Sequence, residues 1–370
     1  TYPLGLAFCE NCKLVQLTYI VDPNLMFKNY LYVTSTTKTF QEHFKRMAGE
    51  ITKEFNLNSD SLVVDIGSND GLLLKGFQKH GVKVVGVEPA DNLVELANND
   101  GVPTINGFHD QKIADEILEK YGKVDVVTAN NVFAHTDDIG KIVKTFDTLL
   151  KDNGVFIFEA HYLFSMMDKM TFDAIYHEHV SYYSLTPFIH FFKRFGMHVF
   201  RVEKVSSHGG SLRVFVQKDV GTHEVDSSVQ TMLEDEEKRG VKEYATYEAF
   251  AQRVTAVKDK VVDILKGLKQ EGKKIVGYGV PAKATTLLTF CGIGKETFDY
   301  IVDDNPLKQG RYTPVEHIPI VPSTQLDEEK PDYIVILAWN FAEEIIGKLG
   351  KYKEQGVKFI VPFPEPKVVE

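Results

Sequence analysis

Two imidazoles, a carboxyl and a phenol stand in a row at Tyr176-His177-Glu178-His179, followed by the aromatic residues Tyr182, Tyr183 and Phe188. Groups that exchange protons near neutral pH, set in an apolar stretch that can tune them, suggest acid–base chemistry. Neutral imidazole needs no large shift in pKa to accept a proton. A zinc-protease reading fails on spacing: H-E-x-x-H would need a second histidine where Ser181 stands. The plain alternative is that both histidines are hydrogen-bonded parts of the fold.

A second constellation lies upstream, at Val63-Val-Asp65-Ile-Gly67-Ser-Asn69-Asp-Gly71. It reads as a strand, a glycine turn that lets a ligand approach the backbone, and a helix. The next strand pattern, Val84-Val-Gly-Val-Glu88, ends in an acid placed to hydrogen-bond ribose hydroxyls. A dinucleotide enzyme would show G-x-G-x-x-G. Here Asp65 and Asn69 put polar groups where a pyrophosphate needs bare backbone. Cys9-x-x-Cys12 supplies two thiols at zinc-knuckle spacing, half of a tetrahedral site.

The elements that carry these groups alternate. Apolar runs at 62–66, 82–87, 124–128 and 155–158 are separated by amphipathic stretches, the pattern of a parallel sheet covered by helices. Two β-rich segments, 198–205 and 211–217, follow as an antiparallel hairpin. Before them lie a short strand at 14–17, the aromatic segment Phe27-Lys-Asn29-Tyr30-Leu31-Tyr32 and a helix at 39–55. Phe250, Val254, Val257, Val261, Leu265 and Leu268 form the stripe of a long amphipathic helix within 224–270. A second α/β unit closes the chain: strands at 274–278, 300–302, 333–337 and 358–361, with a turn at 279–282 and a helix at 283–290. The expected domains are therefore 1–57, 58–222 and 223–370.

With 370 residues, 43% apolar and 25% charged, the chain has the composition of a soluble globular protein. Its net charge of −10 disfavours nucleic acid and anionic lipid surfaces as partners. No apolar run reaches the roughly 18 residues of a membrane span, and no leader pattern is visible. Three cysteines are too few for a disulfide framework, so a reducing cytoplasm is the expected location. Oligomeric state stays open.

The D-x-G-x-x-x-G turn with an acid at the second strand resembles the class I S-adenosylmethionine-dependent methyltransferases. That resemblance implies a seven-stranded Rossmann-like sheet ending in a hairpin. It puts Gly67 and Gly71, with Asp65 and Asn69, against the methionine part of S-adenosylmethionine, Glu88 on the ribose, Phe108 at the adenine, and Asn130 with Asn131 at the methyl-transfer end. Phe108 has a plain core reading as its competitor.

Along its whole length the chain resembles bacterial nucleotide-sugar C-methyltransferases of deoxysugar pathways. The resemblance runs through Tyr2-Pro-Leu, Cys9-x-x-Cys12, Tyr30-x-Tyr32, the glycine turn and Asn130-Asn-Val-Phe-Ala-His135. It continues in Tyr176-His-Glu-His179, Gly277-Tyr278-Gly279-x-Pro-Ala-Lys283 and His317-Ile-Pro-Ile320. It implies methylation of a carbon beside the ketone of a nucleotide-diphosphate keto sugar, through an enolate, at C3 of a 4-keto-deoxysugar. His179 maps to the base, with His177 its competitor; Glu178 and Tyr176 orient it or bind the oxyanion. His135 and Tyr30 line the sugar pocket, and Tyr32, Tyr278, Lys283, Asn305 and Lys308 face the substrate. The alternatives are O- or N-methylation of a nucleotide sugar, and a nonreactive sugar-nucleotide-binding protein.

Two departures matter. Relatives carry a further C-x-x-C upstream, whereas this chain opens on Thr1: either that pair precedes Thr1 in the natural protein or zinc is dispensed with. Structural zinc at Cys9 and Cys12 is the expectation. Pro314-Val315-Glu316-His317 stands where relatives usually show Pro-Gly-Thr-His, a change that bears on the nucleotide or sugar accepted.

Overall fold

A computed structural model describes residues 2–28, 30, 32–36 and 38–370. Asn29 and Leu31 of the aromatic segment, with Thr1 and Thr37, lie outside the described residues. The chain forms two compact units, one of Tyr2–Met166 with His177–Tyr244 and one of Met167–Tyr176 with Ala245–Glu370. These units do not divide at the expected positions near 57 and 222. The N-terminal segment packs into the first unit, because its helix Lys38–Glu54 buries Phe44, Met47, Ala48 and Ile51 in that unit's core.

In the first unit, β1 (Leu6–Phe8) and β2 (Val15–Leu17) pair antiparallel. The central sheet holds β3 (Leu62–Ile66), β4 (Lys83–Glu88), β5 (Thr104–Asn106), β6 (Val124–Asn130) and β7 (Leu150–His161). After β8 (Ser181–Tyr182), which pairs with β2, come β9 (Met197–Val205) and β10 (Ser211–Lys218). The seven strands run in the order β5-β4-β3-β6-β7-β10-β9. The last two form the antiparallel hairpin expected at 198–217. This is the class I Rossmann-like sheet. β3 lies inside it between β4 and β6 with every residue buried, and the glycine turn that follows opens at the carboxyl edge where α/β proteins bind ligands.

β7 begins earlier than its apolar run because Leu150 pairs with Val124, drawing the polar residues Lys151, Asp152 and Asn153 into the strand. Beneath the carboxyl edge, Phe133, Phe156, Phe158, Phe188 and Phe192 are almost fully buried. The Phe158 and Phe188 rings meet edge-on, centroids 4.9 Å apart. Such packing fixes the turn after β6 more firmly than aliphatic side chains would.

The segment 224–270 holds two helices, and the stripe lies wholly on the second. Gly240, at φ 75°, separates Ser227–Lys238 from Tyr244–Gln270. Phe250, Val254, Val261 and Leu265 are the buried positions of the second. The C-terminal unit then builds a sheet from β11 (Ile275–Tyr278), β12 (Ile301–Val302), β13 (Ile320–Val321), β14 (Tyr333–Ile336), β15 (Lys358–Val361) and β16 (Lys367–Val369). Their order is β13-β12-β11-β14-β15-β16, parallel except for the last strand. No helix among the described residues is long and apolar enough to cross a membrane.

Candidate active site

The glycine turn after β3 cannot carry side chains at two points. Gly67 has φ 66°, and a Cβ there would lie 2.5 Å from Val132 Cγ2. Gly71 has φ 75° and opens the helix Leu72–Gln78. Glu88 faces this turn: its carboxylate accepts from the Asn69 amide through Oε2 and from the Ala90 amide through Oε1, each at 2.9 Å. Burial raises the pKa of Glu88, and the two amides work against that rise. Each of its oxygens retains a lone pair. Asp65 is buried and accepts a 2.6 Å bond from the Thr128 hydroxyl. Burial pushes its carboxyl up to about 7, with Thr128 opposing and the charge of Glu88 adding to the rise.

Several polar atoms of this cradle lack a protein partner: Ser68 Oγ, Asp70 Oδ1 and both amide atoms of Asn130 are buried without a hydrogen bond. The Asn69 side chain is engaged, accepting from Thr34 N at 2.9 Å and donating to Tyr32 O at 3.0 Å. Phe108 is 44% exposed, which sets aside the plain core reading.

The proton-handling groups gather in the same unit. Val180 N donates to Ala134 O at 2.6 Å, pinning the end of the His-Glu-His run onto the 3-10 turn Phe133–His135. The His135 and His179 rings consequently lie 5.2 Å apart, and the Phe27 ring lies tilted against His135, centroids 5.4 Å apart. The Tyr30 hydroxyl donates to Glu178 Oε2 at 3.0 Å. Burial raises the pKa of Glu178, partly offset by that bond. His177 points elsewhere: its Nε2 lies 3.1 Å from Pro3 O, and its ring is 6.1 Å from Tyr2. Tyr176 belongs to the other unit.

In the C-terminal unit the expected substrate residues Lys308, Asn305, Tyr278 and Lys283 bond to groups of that same unit. Lys308 donates to Val280 O at 2.8 Å and pairs with Asp303 at 3.2 Å. Asn305 Oδ1 accepts from Leu307 N at 2.9 Å. Tyr278 donates to Asp304 at 2.7 Å. Lys283 pairs with the buried Asp173 at 3.3 Å and lies 4.6 Å from the Trp339 ring centroid. Val315 sits at φ 66°, in the left-handed region.

Comparison with known proteins decides the family. The C-methyltransferase NovU of Streptomyces niveus is 36% identical over 368 residues, which span 100% of this chain and 88% of that protein. The chain belongs to the C-methyltransferase family. The C-methyltransferase C-terminal domain family matches residues 206–364, and a methyltransferase domain family matches 40–202. The ubiquinone biosynthesis O-methyltransferase of Coxiella burnetii is 28% identical over 127 residues, 30% of this chain and 54% of that one. Among solved structures, the magnesium protoporphyrin IX methyltransferase of Synechocystis PCC 6803 with bound SAH has 16% identity and a TM-score of 0.38. It covers 48% of this chain and 83% of its own.

As a member of this family, the protein is an S-adenosylmethionine-dependent methyltransferase, and the cradle fits that cofactor. A zwitterionic amino acid end needs donors and acceptors at the glycine turn, where Ser68, Asp70 and Asn130 offer unmet ones. Zinc is different. Cys9 and Cys12 sit on one turn as free thiols; Cys12's amide and thiol pull Cys9 below the ordinary thiol range, while burial pushes Cys12 up. No group of three or more His, Cys, Asp or Glu able to hold a metal ion occurs among the described residues. Two thiols supply half of a tetrahedral zinc site.

One cluster behind the site escaped the sequence reading. The Glu159 carboxylate, 1% exposed, receives His43 Nε2 at 2.9 Å, Ser207 Oγ at 3.0 Å and Arg213 Nε at 2.9 Å. Glu159 pairs with Asn130 across the β6–β7 ladder, and its carbonyl accepts from Asn131 N. The signal was a lone acid inside the apolar run Val155-Phe-Ile-Phe-Glu159-Ala160.

Proposed function

We propose that this methyltransferase methylates the carbon beside the ketone of a nucleotide-diphosphate keto sugar, through an enolate, and that C3 of a 4-keto-deoxysugar is the carbon. The observation that carries this reading is the Tyr30–Glu178 bond beside the paired rings of His135 and His179. Oxygen or nitrogen methylation also sheds a proton, but it develops no enolate oxygen for a buried carboxyl such as Glu178 to hydrogen-bond. S-adenosylmethionine, when bound, supplies an electrophilic methyl group on a sulfonium.

His179 takes the proton from the carbon adjacent to the ketone, and the C–H electron pair passes into the enolate. Of the two histidines in the run, it is the one beside His135, whereas His177 is engaged with Pro3. Glu178, whose proton burial retains to higher pH, hydrogen-bonds the enolate oxygen; such donors act most strongly in a site without water. Tyr30 orients Glu178, and Asn130 serves the cofactor. We place the protein in the cytoplasm, where its free cysteines stay reduced.

The test is incubation with S-adenosylmethionine carrying a carbon-13 methyl group and a panel of thymidine-, guanosine- and cytidine-diphospho 4-keto sugars. The expected product shows the labelled methyl coupled to a ring carbon by NMR. A label attached to oxygen or nitrogen, or no transfer to any keto sugar, would overturn the proposal.

A further inference from the structure

The cofactor loops and the acceptor-site phenol are joined through one asparagine that the reaction scheme does not use. Asn92 stands at the start of the helix Asp91–Asn99, just beyond Glu88. Its side-chain amide holds the backbone of Tyr30 from both sides: Nδ2 donates to Tyr30 O at 2.9 Å, and Oδ1 accepts from Tyr30 N at 3.2 Å. A side-chain amide used this way imitates a neighbouring strand and fixes both position and direction of the residue it grips.

Downstream, the same chain segment is held by the glycine turn. Asn69 takes Tyr32 O and Thr34 N, and Asp70 Oδ2 accepts from Ser35 N at 3.1 Å. Glu88 ties the two anchor points together, because its oxygens receive the amides of Asn69 and Ala90. The acid expected on the ribose is therefore the hub of the frame that carries Tyr30.

We propose that Asn92 is a positioning residue for methyl transfer, acting through Tyr30 on Glu178. This rests on the reading that Tyr30 and Glu178 lie at the acceptor. Asn92 touches no reacting atom. Its task is to keep the Tyr30 hydroxyl within reach of Glu178 Oε2, so the acceptor site is assembled on the loops that hold the cofactor. A phenol displaced by an ångström loses that bond, and misplacements of this size lower rates by roughly 10- to 100-fold.

The experiment is a double-mutant cycle of Asn92→Ala with Tyr30→Phe, read with whichever acceptor turns over. Alone, Asn92→Ala is expected to lower kcat about tenfold, with the KM for S-adenosylmethionine changed less than about twofold. In the Tyr30→Phe background it should lower kcat by less than about twofold more, because the hydroxyl it serves is gone. Asn92→Asp, which keeps the acceptor for Tyr30 N, should fall between. Hydrogen exchange on the cofactor-free protein gives a readout without turnover: the Tyr30 amide should exchange faster in Asn92→Ala. Asn92 is exposed, so the variant should fold. A full tenfold loss in the Tyr30→Phe background, or unchanged exchange at Tyr30, would overturn the proposal. Methylation at oxygen instead of carbon would sink the reaction scheme and leave this coupling intact.

Discussion

Tyr30 and Glu178, 148 positions apart in the chain, meet through a 3.0 Å hydrogen bond from the phenol to the carboxyl. That contact brings the segment before the helix Lys38–Glu54 to the His-Glu-His run, and it opposes the effect of burial on Glu178.

Removing the phenol tests this opposition. In Tyr30→Phe, burial acts on Glu178 unopposed and its pKa should rise. If transfer needs the protonated carboxyl, the basic limb of the pH profile of kcat moves to higher pH while kcat falls roughly tenfold. A basic limb that does not move would separate Glu178 from the enolate.

The two histidines of the run should behave unequally. His179→Asn is expected to stop both methyl transfer and exchange of the substrate α-hydrogen with deuterated water, while calorimetry still detects S-adenosylmethionine binding. Removal of a general base typically costs about 100- to 10,000-fold. His177→Asn should keep most of its activity. The reverse order would transfer the role of base to His177.

Asp65 makes stability fall with rising pH. Its folded carboxyl holds a proton up to about 7, whereas the unfolded one releases it near 3.8. The folded state is thus unpenalised below about pH 4 and loses on the order of 4 kcal/mol as pH rises to 7. Urea unfolding at pH 5 and pH 8 should show this decline, and Asp65→Asn should flatten it.

Glu159 works with the opposite sign. Burial would raise its pKa, but His43 and Arg213 hold it below the ordinary value. Its contribution is therefore present above the unfolded pKa near 4.5 and is lost as pH falls through the lower folded value. Arg213→Met, which strands part of a buried charge, should cost about 3 kcal/mol at neutral pH and shift acid unfolding upward. Circular dichroism melts would check both effects.

Val315 holds a left-handed backbone that a β-branched residue tolerates poorly. Val315→Gly should relieve it and raise stability by roughly 1 kcal/mol, the gain from strain exceeding the added freedom of the unfolded chain.

Periodicity made the central sheet readable. Leu62–Ile66 and the closing hairpin are apolar enough to announce themselves, and the turn Asp65-Ile-Gly67 followed by Glu88 carries its chemistry in order. β5 was not readable, since three residues at a sheet edge leave no pattern. Nor could composition show that Lys308 bonds to Val280 O and pairs with Asp303, because a lysine that neutralises a protein carboxylate looks like one waiting for a phosphate. The Asn92 grip on Tyr30 bridges 62 positions, and an asparagine at a helix start reads as a cap. Only the folded backbone brings such pairs together.

The order in which the chain builds its two units limits how they can be taken apart. Ten residues, Met167–Tyr176, leave the first unit to complete the second long before Ala245 resumes it. A chimera made by grafting a relative's sequence after Tyr244 would mate a foreign C-terminal body with the native 167–176 segment, whose Asp173 must still suit that body's lysine and tryptophan. Exchange of the whole C-terminal unit between relatives therefore calls for three junctions, after Met166, after Tyr176 and after Tyr244, the second of them falling inside the Tyr-His-Glu-His run.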